Sequence, residues 1–111
     1  MIFNRYTDYE SLSKAIAKTR YPGGGTNTAG ALTTLVTTTF TPERGDRSDV
    51  PNTAIIFTDG ESTVNEALLT KAIDDVRKSR ANVLVVGITN AVSESTLKDI
   101  SSPPHQVYCI S

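Results

Sequence analysis

Apolar and polar positions alternate along the chain between helical and strand-like periods. In SLSKAIAKT (11–19), Leu12, Ala15 and Ile16 fall at helical spacing. Pro22 and three consecutive glycines, Gly23 to Gly25, then break the pattern. TAGALTTLVTTTF (28–40) places Leu32, Leu35, Val36 and Phe40 on one helical face. Threonine is a mediocre helix former, so this helix depends on packing. The polar stretch TPERGDRSDVPN (41–52) reads as a surface loop. TAIIFT (53–58), β-branched and aromatic with apolar residues on both faces, predicts a central parallel strand covered on both sides; it ends at Asp59-Gly60. VNEALLTKAIDDVRKSR (64–80) carries the strongest helical repeat, in Val64, Leu68, Ala72 and Val76, backed by Leu69 and Ile73. NVLVVGI (82–88) predicts a second buried strand. SESTLKDI (93–100) predicts a short helix with Ser93 as a candidate cap, stopped before Pro103-Pro104. QVYCI (106–110) predicts a third strand.

Strand, helix, strand, helix, strand at this rhythm implies an α/β fold with a parallel sheet and right-handed crossovers. Binding sites in such sheets lie at the carboxyl ends of the strands. Asp59 stands there, directly after TAIIFT. The Gly-rich turn opens a helix that precedes the same strand, which makes Thr26 and Asp59 candidates to approach one another.

Length and charge narrow the classes. A length of 111 residues sets a prior of no more than one domain, and 38% hydrophobic with 21% charged residues is ordinary for a globular protein. A formal net charge of −1 leaves no electrostatic footprint for nucleic acid and no polybasic membrane signal. The longest apolar runs are about five residues, against the roughly 20 that a membrane span needs. MIFNRYTDYESL lacks a basic region followed by an apolar core, so no signal peptide is expected in it. Cys109, the single cysteine, reads as a small buried hydrophobe in QVYCI, or as a half-cystine whose partner lies outside this chain. His105, the single histidine, reads as part of a solvated turn; nothing nearby supports a zinc site or a Ser-His-Asp triad around it.

Three chemistries could use the Gly-rich turn with Asp59. A phosphate loop needs a Lys followed by Ser or Thr after its second glycine, and GGGTNTAGAL has no lysine. A phospho-accepting Asp needs clustered acids and a lysine on a later strand, and NVLVVGI offers none. A hard-metal site needs only a few oxygen donors, because Mg²⁺ keeps several waters, and a Thr hydroxyl with an Asp carboxylate suits it. The purely structural reading stays open beside these: a loop at Gly23 to Gly25, an N-cap at Thr26 and a strand-ending turn at Asp59-Gly60.

GGGTNTAGAL followed by VPNTAIIFTDGES resembles a von Willebrand factor type A domain, of the kind found in matrilins, fibril-associated collagens and integrin inserted domains. YTDYESLSKAIAKTRYPGGGTNT resembles that family's third strand, following helix and metal-loop approach. ANVLVVGITNAVSESTLKDISSPP resembles its fifth strand, turn and sixth helix, and HQVYCIS its sixth strand. The resemblance implies a Rossmann-like, doubly wound, mostly parallel sheet with helices on both faces. It also implies a Mg²⁺ or Mn²⁺ ion at a metal-ion-dependent adhesion site. The family's second-loop Thr falls on Thr26 and its third-loop Asp on Asp59, 59 − 26 = 33 residues apart. Glu61 and Ser62, just beyond, fall near the rim of that face as candidate ligand-contacting positions.

The chain departs from the family pattern in one respect: no D-x-S-x-S occurs in it. By resemblance, residues 1–111 are the C-terminal portion of a single domain. In the family's strand order the missing first strand lies beside TAIIFT, so an apolar edge is expected there. The missing half is then supplied by another polypeptide or by more of a longer protein. The function implied is a non-catalytic, extracellular adhesion module whose metal is completed by a carboxylate from a matrix partner such as collagen. A structural self-assembly module with an unused metal site and an intracellular scaffold for a multiprotein complex are the alternatives. No nucleophile–base pair or cofactor fingerprint points to an enzyme.

Overall fold

The computed structural model describes residues 3–58, 66–88, 93–105 and 107–110. Three strands, β1 (Thr53–Thr58), β2 (Asn82–Ile88) and β3 (Val107–Ile110), form a sheet in the order β1-β2-β3, and both pairings are parallel. The helices are α1 (Tyr9–Ala17), α2 (Thr28–Thr34), α3 (Glu66–Lys78) and α4 (Glu94–Ile100). β1 and β2 coincide with the runs read from sequence, and the helices start or stop within two residues of theirs. These β-branched runs can satisfy their backbone only by pairing, and parallel pairing requires the crossovers that α3 and α4 supply.

The strand period of two splits the sheet into unlike faces. The register sets Ile56 beside Val85 and Val107, so Ala54, Ile56, Val83, Val85 and Val107 share one face. There they meet Ala29 and Leu32 of α2, Ala72 and Val76 of α3, and Leu97 and Ile100 of α4 in one hydrophobic cluster. The opposite face carries Ile55, Phe57, Leu84, Val86, Ile88, Tyr108 and Ile110. Ile55 is 56% and Phe57 65% exposed, and Tyr108 and Ile110 are also exposed. Among the described residues the expected central strand, covered on both sides, is covered on one. α2, α3 and α4 all lie on that side, because successive right-handed crossovers that step the same way across a sheet stack on one face.

Among the described residues β1 has no strand on its other edge. Residues 6–8, which open the segment resembling a third strand, form no strand. A strand there would need a neighbour between it and β1 to hold its backbone hydrogen bonds. α1 follows, with no buried residue, and Leu12 and Ile16 are exposed. Its N-cap is Asp8, whose Oδ1 accepts from Ser11 N–H at 2.8 Å.

The helix expected over 28–40 changes character part-way. After α2 the chain widens into a π-helical turn, Leu35–Thr39, in which the Phe40 N–H donates to the Leu35 carbonyl, five residues back, at 2.8 Å. Thr34 and Thr37 donate their hydroxyls to the carbonyls of Gly30 and Thr33, each at 2.8 Å. Such back-bonding competes with the regular helical ladder. The wider turn delivers Phe40 to stack on Phe3, with ring centroids 5.8 Å apart and planes 6° from parallel.

A short connection ties α4 to β3. Ser102 N–H donates to the Val83 carbonyl at 3.0 Å; its Oγ accepts from Val83 N–H at 2.9 Å and donates to the Ala81 carbonyl at 3.2 Å. His105, exposed as expected of a turn, brings Nδ1 within 2.8 Å of the Lys98 carbonyl and 3.1 Å of the Ser101 carbonyl. Two carbonyls can only accept, so Nδ1 carries the hydrogen. Cys109 is exposed rather than buried, since β3 is an edge strand of four residues.

Candidate metal-ion site

The three glycines lead into α2 through a loop that is exposed from Tyr21 to Asn27. Gly23 and Gly24 hold φ of 69° and 88°, a left-handed conformation that side chains resist. The loop can therefore double back sharply and present Thr26 at the start of the helix. The N-cap is Asn27 rather than Thr26. Its Oδ1 accepts from the Gly30 N–H at 2.7 Å. That leaves the Thr26 hydroxyl outside the capping role that a purely structural reading gives it.

Thr26, Asn27 and Thr28 form one end of a cavity of about 380 Å³. Its walls are α2, through Leu32 and Leu35, α4, through Leu97 and Ile100, and every residue of β1 from Ala54 to Thr58. Thr26 and Thr58 thus reach the same space at the carboxyl end of β1. Asp59, the next residue, and Glu61 and Ser62 lie outside the described residues. Thr58 was not singled out in the sequence. Its signal was a hydroxyl at the helix-covered position of a strand, where Ala54 and Ile56 set an apolar pattern. Among the described residues, no three of His, Cys, Asp and Glu gather as a ready-made cluster.

The model of the von Willebrand factor type A domain matches residues 1–111. This chain belongs to that family. It is 36% identical over 110 residues to the transmembrane cell adhesion receptor mua-3 of Caenorhabditis elegans, covering 96% of this chain and 3% of that protein. It is 35% identical over 105 residues to the collagen alpha-1(XII) chain of Notophthalmus viridescens, covering 95% and 11% respectively. It is 33% identical over 100 residues to matrilin-1 of Gallus gallus, covering 90% and 20%. The chain therefore spans between 3% and 20% of the length of these relatives.

Among solved structures, proximal thread matrix protein 1 from the mussel byssus superposes with a TM-score of 0.89, at 20% identity, over 98% of this chain and 28% of that one. A form of that protein with a zinc-occupied MIDAS motif superposes with a TM-score of 0.90, at 20% identity, over 99% and 28%. At that identity the likeness establishes the fold: a parallel sheet with helices.

The donors present suit the kind of ion the family implies. The described part of the site offers threonine hydroxyls and no sulfur or imidazole, which is a hard-oxygen environment. One or two protein oxygens plus waters satisfy Mg²⁺, whereas a structural zinc site takes about four nitrogen or sulfur ligands.

Proposed function

We propose that the chain is a non-catalytic adhesion module of an extracellular matrix or cell-surface protein. In this reading Thr26 and Asp59 contribute to holding a divalent cation, Mg²⁺ or Mn²⁺, at a metal-ion-dependent adhesion site. The single observation that carries the reading is where Thr26 stands. It sits beyond a left-handed glycine turn and lines, with Thr58, the cavity at the carboxyl end of the strand that runs into Asp59. When bound, the cation supplies a Lewis-acidic position to which a carboxylate of a partner protein, such as collagen, can bind. Asn27 fixes the start of α2 and so holds the adjoining Thr26 in place. Glu61 and Ser62 would border the partner. Its similarity to matrilin-1 and to the collagen chain supports an extracellular placement.

Among the described residues no strand lies on the far edge of β1, which supports a second part of the reading. A strand paired with β2 alone among the described strands, and bordering an uncharged cavity, is a ready acceptor for an extended segment. Such a segment, from another chain or from more of a longer polypeptide, would complete the sheet and bring further oxygens to the cation.

Isothermal titration with Mg²⁺ and with Mn²⁺ tests the metal reading. Saturable binding is expected, weakened at least tenfold in Asp59→Ala and also reduced in Thr26→Ala. Equal affinity in wild type and Asp59→Ala would overturn it. A structural self-assembly module is the second reading, favoured by the apolar sheet face of Ile55, Phe57, Tyr108 and Ile110 that stays exposed among the described residues.

A further inference from the structure

Arg77, Lys78 and Arg80 are cations within four consecutive residues, and all are exposed. Among the described residues none of them forms an ion pair with a carboxylate; the pairs there are Lys14–Glu10, Lys71–Asp75 and Lys98–Glu94. Arg77 and Lys78 close α3, where the helix dipole favours cations. The dipole gives no reason for Arg80. It lies two residues past the helix with φ at 61°, a left-handed position that glycine or asparagine ordinarily takes. Its N–H closes the turn on the Arg77 carbonyl at 3.1 Å, a bond that glycine would make equally well. A side chain kept where the backbone penalises side chains points to a use for that side chain.

Arg80 and Arg77 border one recess of about 360 Å³ at the amino end of β2, with Ala81, Asn82, Ser102 and Pro103 as its other walls. No carboxylate lines it. Arg77 Nη2 donates to the Asp99 carbonyl at 3.1 Å, which holds the guanidinium in place and leaves its other N–H groups for a ligand. Asp74 and Asp99 border Arg77 in a separate recess, so the side shared with Arg80 is the more positive one. Arg80 also borders a third recess with Arg47 and Ser79, where Asp46 and Asp49 are the acids.

We propose that the recess between Arg77 and Arg80 binds a sulfate ester of an acidic polysaccharide. The two guanidinium forks hold one sulfate group, and Lys78 and Arg47 meet neighbouring sulfates of the same sugar chain. Two planar forks suit an oxyanion with three terminal oxygens better than a single carboxylate. Sulfates repeated along a slender chain suit cations spread over adjoining recesses. Duplex nucleic acid is the poorer match, because it would press a continuous row of phosphates against Asp46, Asp49, Asp74 and Asp99 as well. β1 and β2 run parallel, so about 20 Å of strand separates this recess from the Thr26 and Thr58 end of the sheet. The proposal is therefore independent of the metal reading.

Calorimetric titration of the chain with a heparin hexasaccharide, with EDTA present, tests it. Saturable binding is expected, weakening about tenfold or more between roughly 50 and 200 mM salt. The desulfated hexasaccharide should not bind. Arg80→Gly is the decisive variant. It should weaken binding about tenfold or more while holding or raising the urea midpoint, since glycine suits a positive φ. Arg77→Gln, on the same recess, should also weaken it severalfold. Lys71→Gln, which removes an α3 cation paired with Asp75, should leave binding unchanged, and so should Asp59→Ala. A wild-type chain that does not bind, or an Arg80→Gly chain that binds as tightly as wild type, overturns the proposal. So does equal binding of the desulfated sugar. A Lys71→Gln loss as large as that of Arg80→Gly, or a DNA oligonucleotide that binds as tightly as the hexasaccharide, also overturns it, because either means diffuse attraction to any polyanion.

Discussion

Gly87, the last-but-one residue of β2, faces Leu97 of α4. A methyl group placed on it would stand 2.8 Å from Leu97 Cδ1, well inside contact distance, and Leu97 is 1% exposed. Gly87→Ala must therefore shift the Leu97 side chain, which is shielded from solvent and borders the cavity beside α2. Overpacking of this kind costs roughly 1–3 kcal/mol. The alanine also restricts the unfolded chain, which returns roughly 0.4–1 kcal/mol. The expected net loss is about 1 kcal/mol. Leu97→Ala removes the obstacle and leaves a void, at a cost of about 3 kcal/mol. Because the two changes meet at one contact, they should not add: the double variant should be about 1 kcal/mol more stable than the sum of the single losses. Urea unfolding followed by circular dichroism reads all four corners of the cycle. With a slope of about 1.5 kcal/mol per molar, the midpoint falls by roughly 2 M for Leu97→Ala and by a little under 1 M for Gly87→Ala. Strict additivity would refute the reasoning, because it would mean that Gly87 and Leu97 do not share the crowded contact. A stabilising Gly87→Ala would refute it too, since the entropic gain would then be the only effect.

Other substitutions test the caps and stitches around the site. Asn27→Ala removes the acceptor for Gly30 N–H and should cost about 1 kcal/mol, whereas Asn27→Asp keeps an acceptor and should cost little; the same urea assay separates them. Ser102→Ala strands the Val83 N–H and should cost roughly 1–2 kcal/mol, with faster amide exchange at Val83 as its local signature. Asp8 has its carboxyl held below the ordinary value of 3.8, chiefly by the Ser11 backbone N–H and then by the Ser11 hydroxyl. A depressed folded value means that its contribution to α1 is complete above the unfolded value and lost as pH falls through the folded one. Carbon-detected titration of Asp8 should therefore show a midpoint below 3.8, and Ser11→Ala should raise it.

Much of this architecture is legible in the chain because local pattern and global fold agree. TAIIFT and NVLVVGI have one way to satisfy their backbones, and they become β1 and β2 to the residue. The helical period of 64–80 leaves little choice for α3. The misjudged features depend on what lies beside a segment rather than within it. TAIIFT reads as covered on both sides because its apolar residues fall on both faces; the cover on one of them is not in its sequence. Cys109 reads as buried for the same reason, and its exposure follows from β3 standing at an edge. The π-helical turn at Leu35–Thr39 escapes a helical reading because five-back and four-back hydrogen bonding place Leu35 and Val36 on nearly the same side. At the candidate site, Thr26 is legible through the family pattern, while Asn27 as the cap and Thr58 as a companion hydroxyl emerge only when α2 and β1 are set side by side.

The one-sided bonding of β1 also sets a clock on its amides. In a parallel ladder, alternate residues of a strand direct their N–H groups to one neighbour and the intervening residues to the other. β1 is bonded to β2 alone among the described strands. Solvent deuterium should therefore enter adjacent residues of β1 at alternately slow and fast rates, while β2, held between two strands, protects both sets along the stretch from Val85 to Ile88 that β3 covers. Any segment that settles against the open edge would erase the alternation, so the exchange pattern of six consecutive residues reports whether the sheet has been extended.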